Sequence, residues 1–146
     1  MKLYTLGFTK KSARAFFELL KSHGIGTLVD IRLNNSSQLA GFSKGSDLEY
    51  FLAEICNCDY HHELKFAPTK EIMDGFKSGQ ISLQQFEKLN SDLMAERNAL
   101  SYFADKYLGC KDVCLLCSED KPDKCHRRIL ANLILERLPG TTLLHL

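Results

Sequence analysis

No stretch of this sequence approaches the roughly 20 consecutive apolar residues of a membrane-spanning helix, so a membrane protein of that type is not expected. The opening residues carry one lysine among a few apolar side chains and lack the apolar core of a secretory signal. They read as a strand, and a cytoplasmic location is the expectation. Charge of one sign is scarce as well. A formal net charge of +1 offers no general attraction for nucleic acid, and the one concentration of positive charge is Lys121, Lys124, Arg127 and Arg128. Recognition of an anion must then be local. Internal repeats, low-complexity tracts and linkers are missing, as are the Walker and GxGxxG patterns in which a glycine-rich turn cradles a nucleotide cofactor. No cofactor is implied.

What is present fits one compact domain over residues 1–146: 45% hydrophobic and 25% charged residues are ordinary for a globular chain with a single core. Six cysteines in a chain expected to stay in a reducing compartment read as thiols or ligands, not as a disulfide framework.

Short apolar runs alternate with longer helical patterns, which predicts an α/β fold: a largely parallel sheet of about five strands with helices on both faces. Residues 2–6 form a first strand ending at Gly7. Ser12 can cap a helix carrying Ala13, Phe16, Phe17 and Leu20 on one face, with Gly24 to end it. Residues 27–31 form a second strand. After the polar loop 33–46, the stripe Leu48, Phe51, Leu52 and Ile55 marks a helix capped by Ser46 or Asp47. A weak strand at 59–62 and a helix at 69–77 follow, then a Ser82–Gln85 capping box opens a helical region that breaks near Asn98. Residues 113–117 are the apolar run of a central strand, Pro122 stands at the first position of the last helix, and 142–145 form a final strand. Right-handed crossovers gather all strand C-termini at one edge, where ligands bind in open α/β sheets. Gly7, Asp30, Arg32, Cys117 and Glu119 all follow strand ends.

Between residues 114 and 128, Cys114-x-x-Cys117 suggests zinc, but residues three apart on a strand point to opposite faces. Cys114 is then a core side chain, whereas Cys117 and Glu119 share a side. Cys125 and His126 lie four residues before Ile129 and Leu130 of the next helix, which turns them inward to the strand tips. A thiol beside His, Lys and Arg at a helix start can ionise at neutral pH and act as a nucleophile. His126 can then move a proton, while Arg127 and Arg32 can hold an anionic substrate group. Cys125 can equally fill core space and His126 can be a hydrogen-bonded core residue. Asp30 and Arg32 share parity on their strand and need partners, as a salt bridge or through a ligand. Arg128 reads as a solvated charge. The turn Gly7-Phe8-Thr9 can let a phosphate approach backbone N–H groups, the loop 34–46 can act as a lid, and at most one of His61 and His62 can face the cleft.

The words TLGFT, LVDIR, NNSSQLAGFSK, APTKE, LLCSEDKPDKCHRRILA and LLHL, in that order and spacing, resemble the family known as domain of unknown function 488 over essentially the whole chain. The resemblance implies a compact α/β domain with matching polar positions at Asp30, Arg32, Cys117, Glu119, Cys125, His126 and Arg127, and it implies no reaction. The chain departs from the pattern at Phe8, where many relatives carry a histidine.

Three readings follow. The first is an enzyme on a small anionic or nucleotide-like substrate, with Cys117, Glu119, Cys125, His126 and Asp30 as catalytic candidates and Arg32, Arg127 and Gly7 as substrate-binding candidates. The second is a nucleotide- or nucleic-acid-binding module in which the thiols only pack. The third is a metal site of Cys117, Cys125 and His126, whose spacing matches no standard structural zinc pattern. Oligomeric state is not written in the sequence.

Overall fold

The computed structural model describes residues 1–37 and 40–146. Its element order is β1 (Lys2–Gly7), α1 (Ala13–Ser22), β2 (Thr27–Asp30), α2 (Gly45–Phe51), β3 (Asp59–His62), α3 (Lys70–Lys77), α4 (Leu83–Glu96), α5 (Ala99–Tyr107), β4 (Val113–Cys117), α6 (His126–Arg137) and β5 (Thr142–His145). The five strands form one sheet in the order β3-β2-β4-β1-β5, every pairing parallel. Among the described residues no helix is long and apolar enough to cross a membrane.

Alternation along the strands builds two cores. Val113, Leu115 and Cys117 of β4 pack with Ala99, Phe103 and Tyr107 of α5 and Leu130, Ala131 and Ile134 of α6. Cys114 and Leu116 face the other way, onto Phe16, Phe17 and Leu20 of α1 and Leu48 and Leu52 of the α2 region. The central strands β1, β2 and β4 are therefore buried on both sides, whereas the edge strands β3 and β5 are not, which is why β4 reads as an unbroken apolar run and not as an alternating one. Cys114 is fully buried, on the face opposite Cys117, as strand parity requires.

Local signals set most boundaries. Ser12 caps α1 by accepting from the Ala15 amide, and Gly24 ends it at φ 64°, a conformation that costs glycine little. Ser82 and Gln85 make the reciprocal capping box of α4. Asn98 separates α4 from α5 through a left-handed φ of 50° and not as a side-chain cap. Two expectations fail. The second helix begins before Ser46 and Asp47, with Lys44 as its N-cap, because no side chain fixes its start, and it runs on into a π-helical turn at Leu52–Cys56. The last helix begins at His126, not at Pro122. Pro122 instead accepts from the Cys125 amide at 3.0 Å in a tight turn, leaving Cys125 as the N-cap residue.

This topology creates the crevice. The chain leaves β2 towards the α1/α2 face and leaves the neighbouring β4 towards the α6 face. Adjacent strands whose connections part to opposite faces open a gap at their C-terminal ends.

Candidate functional site

A cavity of about 890 Å³ opens at that gap. Its floor is the tip of β4 and the start of α6: Cys117, Ser118, Glu119, Cys125 and His126. Arg32 and the backbone segment 33–36 form one side. The opposite wall comes from α3 and α4, with Met73, Phe76 and Phe86, the two rings stacked at 4.2 Å between centroids. Lys70, Lys77 and Lys124 rim it, so four cationic side chains face two carboxylates, Asp74 and Glu119. Lys70 is tied to Asp74 at 2.5 Å, while Lys77 and Lys124 form no ion pair among the described residues.

The β4–α6 loop is folded back on itself by contacts from two directions. The amide and hydroxyl of Thr9 both donate to the Ser118 carbonyl, at 3.2 and 2.8 Å, and Lys11 pairs with Asp120 at 2.9 Å. From beneath, the Arg127 guanidinium donates to the carbonyls of Glu119 and Asp120. This return brings residues eight apart in sequence together. Cys117 and Cys125 are joined sulfur to sulfur as a disulfide, their Cα atoms 7.7 Å apart, while Cys56, Cys58, Cys110 and Cys114 are free. The expectation of free thiols or ligands is corrected for this one pair, because the loop geometry supplies a proximity that spacing alone does not reveal.

Arg127 is completely buried. Its Nη1 donates to Cys117 Sγ at 2.9 Å and lies 4.0 Å from Cys125 Sγ; its Nε has no hydrogen-bond partner. Its partners are thus two carbonyls and a sulfur, with no carboxylate among them. A guanidinium removed from water without an anion is costly. Burial pushes its proton affinity down, opposed by the more distant charges around it.

His126 is also buried, and its Nε2 meets the Ile31 carbonyl at 2.8 Å. A carbonyl only accepts, so Nε2 carries the proton and Nδ1 presents a lone pair, 3.9 Å from Cys125 Sγ. Burial holds its pKa down to about 4, reinforced by Arg127 and opposed by the Ile31 bond and Asp30. At neutral pH the ring is uncharged. It is not a stored acid, and its free Nδ1 lone pair faces the Cys125 sulfur.

Asp30 and Arg32 form a buried bidentate pair, Nε to Oδ1 at 2.8 Å and Nη2 to Oδ2 at 2.6 Å. Tyr60 adds a 2.6 Å bond to Asp30, the Ser43 carbonyl accepts from Arg32 Nη2 at 2.7 Å, and the Phe8 ring lies under the guanidinium at 5.1 Å. Arg32 reaches the cavity; Asp30, fully enclosed, stands behind it.

Of the residues singled out from sequence, the fold therefore brings Arg32, Cys117, Glu119, Cys125 and His126 to one cavity and sets Gly7, Asp30 and Arg127 behind its wall. Gly7 is covered by the Glu119 carbonyl and Arg127, and the Thr9 amide of the same turn donates to the Ser118 carbonyl. Neither imidazole of β3 lines the cavity: His61 meets the Tyr107 hydroxyl at 3.0 Å, and His62 the Arg32 carbonyl at 2.8 Å. Arg128 is not a solvated charge. It pairs with Glu87 of α4 and donates to the Asp123 carbonyl at 3.2 Å. Of the loop considered as a lid, Gln38 and Leu39 lie outside the described residues. Among the described residues no group of three or more His, Cys, Asp and Glu side chains could hold a metal ion. Cys117, Cys125 and His126 do not assemble as a ligand set, since the two sulfurs bond each other and the ring points Nε2 at Ile31. Lys11, Tyr60 and the α3 wall carry no signal in the sequence, as their role depends on which strands and helices become neighbours.

A model of the family described as domain of unknown function DUF488 matches residues 12–134. The chain belongs to this family. The match takes in β2, β4 and the start of α6, so every cavity residue named above lies inside the DUF488 region. Comparison with curated proteins and with solved structures finds no match.

Proposed function

We propose that this DUF488 chain is an enzyme acting on a small anionic substrate, nucleotide-like ligands included, with Cys117 as its nucleophile. The observation that carries the reading is the Arg127–Cys117 contact. A fully buried cation without a carboxylate partner donates to a sulfur that lines the cavity at the strand ends. Such a contact favours the thiolate, which is the reactive form of cysteine. Arg32 and the unpaired Lys77 and Lys124 supply positive charge for the substrate's anion, and Met73, Phe76 and Phe86 supply an apolar wall for a flat or apolar body.

Once the pair is reduced, His126 Nδ1 stands where it can accept from the Cys125 thiol, and Glu119, exposed at the rim, is the one carboxylate of the β4–α6 loop that lines the cavity and can take or give a proton to a bound ligand. Arg127 is a positioning residue here, acting through Cys117 and the loop carbonyls.

The test is alkylation of reduced, folded protein, followed by peptide mass mapping. Cys117 is expected to react with iodoacetamide well below the pH at which an ordinary thiol, near 8.5, ionises. Nucleotides or inorganic phosphate should protect it. A Cys117 that alkylates no faster than a model thiol at pH 6.5 would overturn the reading.

The binding-module reading has its own support in the stacked Phe76–Phe86 pair beside two lysines, which suits a base and a phosphate without chemistry. Protection by nucleotides of a Cys117 with ordinary thiol reactivity would favour it.

A further inference from the structure

The second cysteine needs a role that a single nucleophile does not require. Cys125 lines the same cavity floor, is joined to Cys117, and caps the N-terminus of α6 with its side-chain sulfur free of any capping bond. A helix N-terminus favours negative charge on a thiol placed there. Arg127 sits asymmetrically between the two sulfurs, 2.9 Å from Cys117 and 4.0 Å from Cys125. A disulfide sulfur is a weak neutral acceptor, so in the oxidised pair the buried guanidinium has no counter-charge and its Nε no partner at all. Reduction gives Cys117 the charge that Arg127 lacks. The surroundings thus favour the dithiol, which marks the pair as an exchangeable disulfide and not a structural staple.

We infer that Cys117 and Cys125 form a two-cysteine thiol–disulfide exchange centre, whose outside partner is a small disulfide bearing carboxylates. This rests on the reading of Cys117 as a reactive thiolate and adds to it a resolving residue and a substrate class.

The Cys117 thiolate attacks one sulfur of RS–SR′, forming Cys117–S–S–R and expelling R′S⁻. Cys125 loses its proton and attacks Cys117 Sγ, closing the Cys117–Cys125 bond and expelling RS⁻. With Cys117 already ionised the reduced pair holds one proton, that of Cys125; it ends on one of the two expelled thiolates while the other keeps the negative charge, and the two electrons lost by the cysteine pair are those gained by the outside disulfide. A low-molecular-weight thiol runs the sequence in reverse and returns the pair to the dithiol. The lysines at the rim suit the carboxylates of the partner, and the α3 wall suits its carbon frame.

The experiment uses the full chain with Cys56→Ser and Cys110→Ser, which removes the two half-buried outside thiols. The probe is 5,5′-dithiobis(2-nitrobenzoate), an aromatic disulfide with two carboxylates and a coloured leaving group. The reduced parent is expected to release two coloured thiols per chain, to keep no adduct, and to lose two hydrogens in mass. Cys125→Ser should release one and retain the mixed disulfide on Cys117. Cys117→Ser should slow the first release by roughly tenfold or more, as expected when the low-pKa thiolate is removed. One coloured thiol with a retained adduct on the parent would overturn the exchange centre while leaving Cys117 a nucleophile. A parent in which Cys117 stays unmodified until the protein is unfolded would overturn both readings. Stoichiometry and mass of the parent need no cavity variant, so they decide between these outcomes even if either serine variant fails to fold.

Discussion

The carbonyl oxygen of Glu119 occupies the space into which a side chain on Gly7 would project, with Arg127 Nη1 only 2.8 Å from the same point. The strand β1 can therefore run directly beneath the β4–α6 loop only because residue 7 has no Cβ. Gly7→Ala forces backbone against backbone, with no flexible side chain to yield. Overpacking of this kind costs about 3 kcal/mol. The expected result in urea unfolding is a loss of that size. Reactivity of Cys117 should fall with it, because the displaced loop no longer holds Arg127 against the sulfur. A Gly7→Ala protein with parental stability and parental Cys117 alkylation would show that the loop is not held there.

Asp30 accepts from the Arg32 amide, Nε and Nη2 and from the Tyr60 hydroxyl, and neither charged partner is more than 4% exposed. Removing one member of a buried pair strands the other. Asp30→Asn is expected to cost about 3–5 kcal/mol in unfolding free energy. Tyr60→Phe, which deletes one bond and leaves the pair intact, should cost about 1–2 kcal/mol. Comparable costs for the two variants would mean that the ion pair contributes little beyond its hydrogen bonds.

The parts of this site that can be read from sequence are those set by local periodicity. The tip of β4 is legible because five apolar residues are bounded by Ser118 and Glu119, and Cys125 and His126 face inward because Ile129 and Leu130 stand four residues on. The same logic separates Cys114 from Cys117 correctly. Sequence spacing does not tell Arg32 from Arg127. One reaches the cavity and the other lies beneath it because β4 inserts between β2 and β1, an order that no residue pattern encodes. Pro122 misleads for a related reason: its fixed φ suits a first helical turn and a loop turn alike, and the pull of Thr9, Lys11 and Arg127 on the loop decides. The α3 wall is a tertiary event. Thr69 marks where that helix starts, but nothing local says that it folds across the strand ends.

His126 makes folding stability depend on pH in a defined window. Its pKa falls from 6.5 to about 4 on folding, chiefly through burial. Between those values the unfolded chain binds a proton that the native chain refuses, so stability is fully present above pH 6.5 and declines as pH falls towards 4. The loss is on the order of 3 kcal/mol, at about 1.4 kcal/mol for each tenfold change in proton affinity. Carboxylates titrate over part of the same range, so the comparison is with His126→Gln, whose amide can still donate to the Ile31 carbonyl. The difference between the two proteins in urea unfolding should widen in favour of the variant from pH 6.5 to pH 4. Parallel curves would mean that His126 is protonated in the folded state as readily as in the unfolded one.

Lys77 and Lys124 are the rim cations without a paired carboxylate, whereas Lys70 is occupied by Asp74. If they draw anions to Cys117, their effect belongs to the charge of the reagent and not to the thiol. The measurement is the ratio of Cys117 alkylation rates with iodoacetate and with iodoacetamide, which share a reacting carbon and differ in charge. The double substitution Lys77→Gln, Lys124→Gln should lower this ratio roughly fivefold, the effect of about 1 kcal/mol of lost attraction at partly screened distances. The iodoacetamide rate alone should stay near parental, and Lys70→Gln should leave the ratio unchanged. Raising the salt to about 1 M, where the screening length is near 3 Å, should erase the parent's advantage and bring it to the level of the double variant. A ratio that survives both the substitutions and the salt would transfer the anion preference to Arg32, whose charge lies in the wall and is screened far less.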